Sequence, residues 1–366
     1  MSKLNSDYSI VVSKGFFKKT GYYFRVKRAY QIIEESGRNP VILCYKSFQP
    51  EEFSNDANLA IRYLAFANFY TTMRRSRTLC FENIGIGVIG VLVHLFSSKQ
   101  NKRSFILDYH GGLDDLSAFK YYKVKRFIYS IAEKYILNKF DKVIVVSNQF
   151  KVQLCEKYKN NVADIITVIP NFPDDKFIKN IEKSYTRECM QISEQTKIFT
   201  YVGNAQKWQN LEYISKFIYE IQNNESNVLF LFLTGQMSEI EKTLIDNGVD
   251  MSKCVIKTVP NYEVPKYLKI SNYLLMLRQV DMINKVACPT KAVEYMFSKT
   301  PIIISKGLGD ISDIVVNSNS GFIVDYDDTI ENNVMKLLSI ESYDVIDNLC
   351  LAKYSPSYFV NEYKSH

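Results

Sequence analysis

The chain has 366 residues, 46% of them hydrophobic and 23% charged, with a net charge of +7. That is long for one core and favours two domains. The apolar content excludes a disordered chain, and sparse Gly and Pro without low-complexity stretches exclude a fibrous one.

The charge is uneven: residues 1–170 carry 26 Lys+Arg and 14 Asp+Glu, and the remainder carries 20 and 25. A basic first half fits an anionic partner such as a membrane surface, a phosphorylated acceptor or a nucleic acid. Arg74, Arg75 and Arg77 are its densest cluster. The seven scattered cysteines form no CxxC pair, which fits reduced thiols in a cytosolic protein, most of them in the core. The first residues do not read as a secretory signal. The apolar run from Ile84 to Phe96 is too short to cross a bilayer, which needs about 20 residues. It reads as a buried helix with His94 at the core or its rim; a segment lying in a membrane interface is the alternative.

In chain order, Ser9–Ser13 reads as a strand, Gly21–Ser36 as a helix and Asn39–Tyr45 as a strand. Ser104–Tyr109 is a strand, Tyr121–Phe140 a long amphipathic helix and Lys142–Ser147 a strand. Asn148–Lys159 is a helix and Ile165–Ile169 a strand. After Pro170-Asn171-Phe172-Pro173 the alternation restarts. Strands are expected at Lys197–Val202, Asn227–Thr234, Cys254–Thr258, Tyr273–Leu277, Pro301–Ser305 and Gly321–Val324. Helices are expected at Leu211–Asn223, Ser238–Asn247 and Val264–Ile270, with a helical tail from about Ile340. Such alternation predicts parallel sheets covered on both faces, in domains 1–172 and 173–366. The end of the chain from about residue 345 is expected to return to the first domain. A cleft between the carboxyl ends of two such sheets is where a ligand is expected.

Pro289-Thr290-Lys291-Ala292-Val293-Glu294 is the most informative segment. Thr290 reads as an N-cap after a breaking Pro289. The free N–H groups of the helix start suit a phosphate. Glu294 lies about 6 Å further along the axis, on the face of Thr290. Together they suit a nucleotide diphosphate sugar; a capped surface helix with a solvated Glu is the plain alternative.

The ordered motifs Thr20-Gly21 with Arg25, Asp108-Tyr109-His110-Gly111-Gly112, Asp141–Ser147, Val168–Asn171, Tyr201-Val202-Gly203, Thr234-Gly235, Val264–Leu268, Leu277-Arg278, Pro289–Lys291 with Glu294-Tyr295, Pro301-Ile302-Ile303, and Ser320-Gly321-Phe322 resemble glycosyltransferase family 4 along nearly the whole chain. The resemblance implies an α/β GT-B fold, two Rossmann-like domains facing each other across a cleft. It implies a retaining transferase that moves a sugar from a nucleotide diphosphate sugar to a hydroxyl of a glycan or polyprenyl-linked acceptor, in bacterial surface polysaccharide synthesis (capsule or lipopolysaccharide). Glu294 then holds the donor ribose and Pro289–Lys291 its diphosphate. His110 sits near donor sugar and acceptor, and Arg278 and Lys291 stabilise the leaving group, with Lys285 beside them. Gly203, Lys207, Gly235, Pro260 and Thr290 complete the donor site. Gly21, in the loop after the first strand, Arg25, Gly111 and Gly307 line the acceptor side, Gly307 and Gly309 in a flexible loop.

Two departures stand out. No Arg follows Gly203, and Lys207 is out of register. Val286 occupies the place of the family's first glutamate. No cofactor and no metal are expected: no His/Cys/carboxylate group has ligand spacing, and Asp325-Tyr326-Asp327 reads as a turn. The anionic partner is then a membrane surface on the cytoplasmic side, met peripherally, and not a nucleic acid. A non-catalytic GT-B scaffold protein and a sugar-nucleotide epimerase are the alternatives.

Overall fold

A computed structural model describes residues 7–14, 16, 21–45, 59–96, 103–110, 122–159, 161–181, 187–279 and 281–364. By its internal contacts the chain divides into two compact units, residues 1–172 with 354–366, and residues 173–353.

The first unit contains β1 (Tyr8–Val12), α1 (Gly21–Glu35), β2 (Pro40–Tyr45), β3 (Ile61–Leu64), α2 (Phe66–Arg75), β4 (Thr78–Glu82), α3 (Ile84–Leu95), β5 (Ser104–Tyr109), α4 (Tyr122–Lys139), β6 (Lys142–Val145), α5 (Asn148–Lys157) and β7 (Ile166–Val168). Its seven strands run parallel in the order β3-β2-β1-β4-β5-β6-β7. β1, β4 and β6 are buried along their length, because helices cover both faces of such a sheet. The strand order reverses between β1 and β4, and ligands of open α/β sheets bind at the carboxyl edge beside such a switch point.

The second unit contains α6 (Asp175–Ile181), β8 (Lys197–Val202), α7 (Leu211–Asn224), β9 (Val228–Leu233), α8 (Met237–Asp246), β10 (Cys254–Lys257), α9 (Val264–Ile270), β11 (Tyr273–Met276), α10 (Met282–Val286), α11 (Thr290–Ser298), β12 (Ile302–Ser305), α12 (Gly309–Asn317), β13 (Gly321–Val324), α13 (Ile330–Leu338) and α14 (Asn348–Ala352). Its six parallel strands are ordered β10-β9-β8-β11-β12-β13, with the reversal between β8 and β11. Phe199 and Phe230 stack at 5.2 Å across β8 and β9 inside its core. Such a pair adds about 0.5–1.5 kcal/mol beyond its area.

The last helix, α15 (Val360–Lys364), packs on α1, and Lys142 Nζ donates to the Glu362 carbonyl at 2.9 Å and to its carboxylate at 2.8 Å. Phe359 meets Phe172 at 5.6 Å, which ties the end of the chain to the first unit.

Several expectations need correction. No strand was expected between residues 46 and 103, yet β3 and β4 lie there. β4, Thr78-Leu79-Cys80-Phe81-Glu82, is a buried strand that directly follows the Arg cluster. The helix at Ile84 is buried only on the side of Ile84, Ile86, Gly87, Gly90 and Val93; its outer end is exposed. The stretch from Ile340 to Ile346 is irregular, and the preceding helix is α13. Of the cysteines, Cys44, Cys80, Cys155 and Cys288 are buried and Cys189 is exposed, all as free thiols.

Candidate functional site

In the first unit, Ser13, Glu82, Asp108 and His110 stand at the carboxyl edge, beside the switch point. Glu82 and Asp108 are register partners on β4 and β5, so their side chains leave the same face side by side. Arg25, on α1, meets Asp108 bidentately, with Nη2 at 2.6 Å from Oδ1 and Nε at 2.9 Å from Oδ2. Its Nη1 donates to the Ile169 carbonyl at 3.3 Å and to Asn171 Oδ1 at 3.0 Å. The pair is nearly sealed, 7% exposed for Arg25 and 2% for Asp108. Arg25 is therefore an internal counter-ion and not the ligand-binding side chain expected. Burial pushes the Asp108 carboxyl up, but the Arg25 charge first, with the Arg25 hydrogen bonds and the nearby imidazole of His110, outweighs it and holds it below the usual carboxylate range.

With Arg25 committed, Glu82 is the charge left over. It is wholly buried and neither carboxylate oxygen has a hydrogen-bond partner. Burial first and the Asp108 charge second push it well above the usual carboxylate value, against the pull of Arg25, and so favour the protonated form of Glu82. His110 Nδ1 lies 3.8 Å from Glu82 Oε2 and 3.8 Å from Asp108 Oδ1, also unpartnered. Tyr22 stacks on the imidazole at 5.3 Å, and its hydroxyl accepts from the Ser13 amide at 3.1 Å. A buried acid beside a rim histidine can donate or relay a proton.

Glu82, Asp108 and His110 bring potential metal-ligand atoms within 4.8 Å of one another, which spacing along the chain did not show. The set does not fit a divalent cation. Both Asp108 oxygens already accept from Arg25, whose charge would oppose the ion.

Gly21 is the first residue of α1 and not part of the preceding loop. Gly111 lies outside the described residues. Arg75 and Arg77 are exposed.

In the second unit, α11 begins at Thr290. Pro289 is the N-cap and no side chain caps the helix, so Thr290 is not the capping residue expected. Its first amides keep the partial positive charge that suits an anion. Lys291 Nζ binds Glu294 Oε2 at 2.8 Å, an i, i+3 pair that joins the expected phosphate and ribose groups to each other. Arg278 follows β11 with its amide donating to Ser305 Oγ at 2.7 Å, while the Tyr326 hydroxyl donates to its carbonyl at 2.9 Å. Its Nη1 reaches Asn284 Oδ1 at 3.4 Å, and its Nε is buried without a partner. Burial lowers the guanidinium pKa, opposed by Tyr201, Tyr295 and Asp281.

A Cβ on Gly203 would collide with the Tyr201 hydroxyl, which donates to the Asn204 carbonyl at 2.7 Å. Lys207, Gly235, Pro260 and Lys285 are exposed, and the space over Gly235 is open. Gly307 keeps a turn with φ +75°. Gly309 belongs to α12 instead of a flexible loop, and a Cβ there would strike the Ala287 carbonyl. That close approach sets the start of α12 against the segment leading into α11. Val286 is buried at the end of α10. Asp325-Tyr326-Asp327 is a turn in which Asp325 pairs with Lys306 at 2.6 Å.

Sequence reasoning missed Glu82, Tyr22 and Asn284. A lone acid ending an apolar strand, Glu82, was the one available signal.

Residues 184–348 match the family model described as glycosyl transferases group 1. No curated protein matches the chain. Among solved structures, it is similar to the sucrose-phosphate synthase of Thermosynechococcus elongatus, with TM-score 0.63, 14% identity and coverage of 98% of this chain and 94% of that one. HepE of Anabaena, in complex with UDP and glucose, gives TM-score 0.68 at 11% identity over 98% and 97%. WaaG, a glycosyltransferase involved in lipopolysaccharide biosynthesis, gives 0.64 at 11% over 98% and 95%. At such identities the likeness shows the fold, two Rossmann-like α/β units of GT-B type. With the match in the second unit it supports a GT-B glycosyltransferase.

Proposed function

We propose that the protein is a retaining, metal-independent glycosyltransferase of family 4 type that uses a nucleotide diphosphate sugar. One observation carries this reading. Within the stretch matching the group 1 model, the uncapped start of α11 and the buried guanidinium of Arg278, whose Nε has no partner, follow strands of the second sheet. Both are positive, the α11 amides without a side-chain cap and the Arg278 Nε without a hydrogen-bond partner.

The second unit would bind the donor. The α11 amides would take the diphosphate, and Lys291 would turn from Glu294 to it, which frees Glu294 for the ribose. Arg278 would meet the charge that grows on the leaving group; one such donor is worth about 10²–10³ in rate. The bond from the anomeric carbon to the phosphate oxygen breaks, the acceptor oxygen bonds the same face, and its proton passes to the departing phosphate. Lys207 and Lys285, both exposed, would add positive field. His110, next to Glu82, is assigned to the acceptor side. The acceptor would be a glycan or polyprenyl-linked hydroxyl in bacterial surface polysaccharide synthesis at the cytoplasmic membrane face. Among the described residues no helix is long and apolar enough to cross a membrane.

Calorimetry with UDP-, GDP- and ADP-sugars tests the donor, with UDP-hexoses first because HepE is complexed with UDP and glucose. NMR of the product's anomeric proton tests retention, and turnover in EDTA tests metal independence. A second reading, a non-catalytic scaffold, is favoured by Val286, which is packed into the core where a donor carboxylate was expected. Absence of any donor binding would select it.

A further inference from the structure

Helices α3 and α4 pack on each other in the first unit, with Gly87 so placed that a Cβ would meet Ile136 at 3.1 Å. Of the nine exposed large hydrophobic side chains described in that unit, seven lie on α3, its C-cap Phe96 and α4. On α4 they are Val124, Phe127, Ile128 and Ile131, spaced i, i+3, i+4 and i+7, which makes a continuous stripe. Phe127 is 67% exposed and Phe96 is 68% exposed. The opposite side of α4 already faces the core through Ala132, Ile136 and Leu137, so the outer stripe is a second apolar face.

The exposed charges described on α4 have one sign. Lys123, Lys125, Arg126, Lys134 and Lys139 are exposed. The only acidic residue of α4, Glu133, is buried and accepts from Tyr109, Lys157 and Tyr158. α3 carries no carboxylate, lysine or arginine, and its His94 bonds the Tyr135 hydroxyl at 2.8 Å. At 12 residues α3 spans about 18 Å, short of the roughly 30 Å of a bilayer core.

An apolar stripe framed by cations is the pattern of a segment lying in a membrane interface. A second copy of the chain seated symmetrically here would set these cations against their own images.

We propose that α3 and α4 form a docking surface for an anionic lipid bilayer, the stripe entering the boundary between headgroups and acyl chains and the α4 cations meeting lipid phosphates. The transferase reading bears only on its use, delivery of a lipid-linked acceptor. The surface moves the membrane contact from the Arg74, Arg75 and Arg77 cluster to these helices.

Co-sedimentation of the full chain with phosphatidylcholine vesicles, with and without phosphatidylglycerol, tests it. Binding is expected with phosphatidylglycerol and should weaken with salt. Each basic side chain near such a surface contributes about fivefold. Phe127→Glu with Ile131→Glu should lower vesicle binding about tenfold or more, as should Lys123→Glu with Arg126→Glu. Arg75→Glu with Arg77→Glu should change it less. All these side chains are exposed, so an unchanged melting curve confirms intact folding. Wild-type vesicle binding by the Phe127→Glu, Ile131→Glu protein would overturn the proposal. So would wild-type protein that ignores both kinds of vesicle, or a dimer in sedimentation that Phe127→Glu abolishes. Donor calorimetry on the same variants reports separately on the transferase reading.

Discussion

At the carboxyl edge of the first sheet, Arg25 is engaged by Asp108, Ile169 and Asn171, whereas at that of the second, Arg278 reaches Asn284 and keeps its Nε buried without a partner. Arg25 lies on α1 and Arg278 just after β11, each near the switch point of its own sheet, yet one is neutralised inside the fold by a carboxylate and the other is not. The first edge is left with a buried carboxyl whose pKa is raised, Glu82, and an imidazole, which suit a hydroxyl. The second is left with helix amides and a guanidinium, which suit a phosphate. Ligand preference therefore follows from which charges the protein leaves unsatisfied, more than from which residue types it holds.

The contrast is sharpest in Arg25→Ala. Breaking a buried pair costs about 3–5 kcal/mol, and urea unfolding should show a loss of that size. A variant that unfolds normally but loses ligand binding would return Arg25 to the acceptor site. Replacing both partners, Arg25→Met with Asp108→Leu, should recover much of the loss, because no charge is then stranded.

Arg278→Ala should do the reverse. The fold should change little, while kcat/KM with a cognate donor falls about 10²-fold or more, about 3 kcal/mol. Equal turnover in the variant would remove Arg278 from the leaving-group role.

Glu82→Gln follows. Glu82 is held above the usual 4.5, so the folded state binds its proton more tightly than the unfolded state does. Its contribution is then complete below about 4.5 and declines as pH rises. Gln mimics the protonated form and cannot titrate. The variant should match the wild type in acid and exceed it at neutral pH by about 0.5–2 kcal/mol, measured by urea unfolding across pH. A gain in stability coupled to a loss of turnover is the mark of a group kept for function; a gain in both would make Glu82 incidental.

Lys291→Ala should have the smallest effect. Its partly exposed pair with Glu294 is worth about 0–1 kcal/mol in stability. Donor affinity should fall by up to about tenfold, and calorimetry with the nucleotide diphosphate alone would show whether the loss lies in the phosphate contact.

Most strands were legible because a parallel sheet buried on both faces demands continuous apolar runs. Ser104–Tyr109, Lys197–Val202 and Gly321–Val324 are found with the predicted bounds. β4 was overlooked because Thr78 and Glu82 close it with polar residues, and because the apolar α3 follows after one residue. The start of α11 was legible through Pro289, but the partner of its Lys291 was not. An i, i+3 pair competes with any ligand, and only packing decides which forms.

The sequence by itself determined the alternation of strands and helices, the two-part organisation and the candidates Arg278, Lys291, Glu294 and His110. Those follow from local periodicity, Pro and Gly placement and ordered motifs. Only the tertiary structure decided that Glu82 and Asp108 stand side by side, that Arg25 neutralises one and not the other, and that α3 and α4 share an apolar outer face. Each of these depends on strand register or helix packing between segments far apart in the chain. Burial then sets charge, because the cost of desolvation is known only once the neighbours are in place.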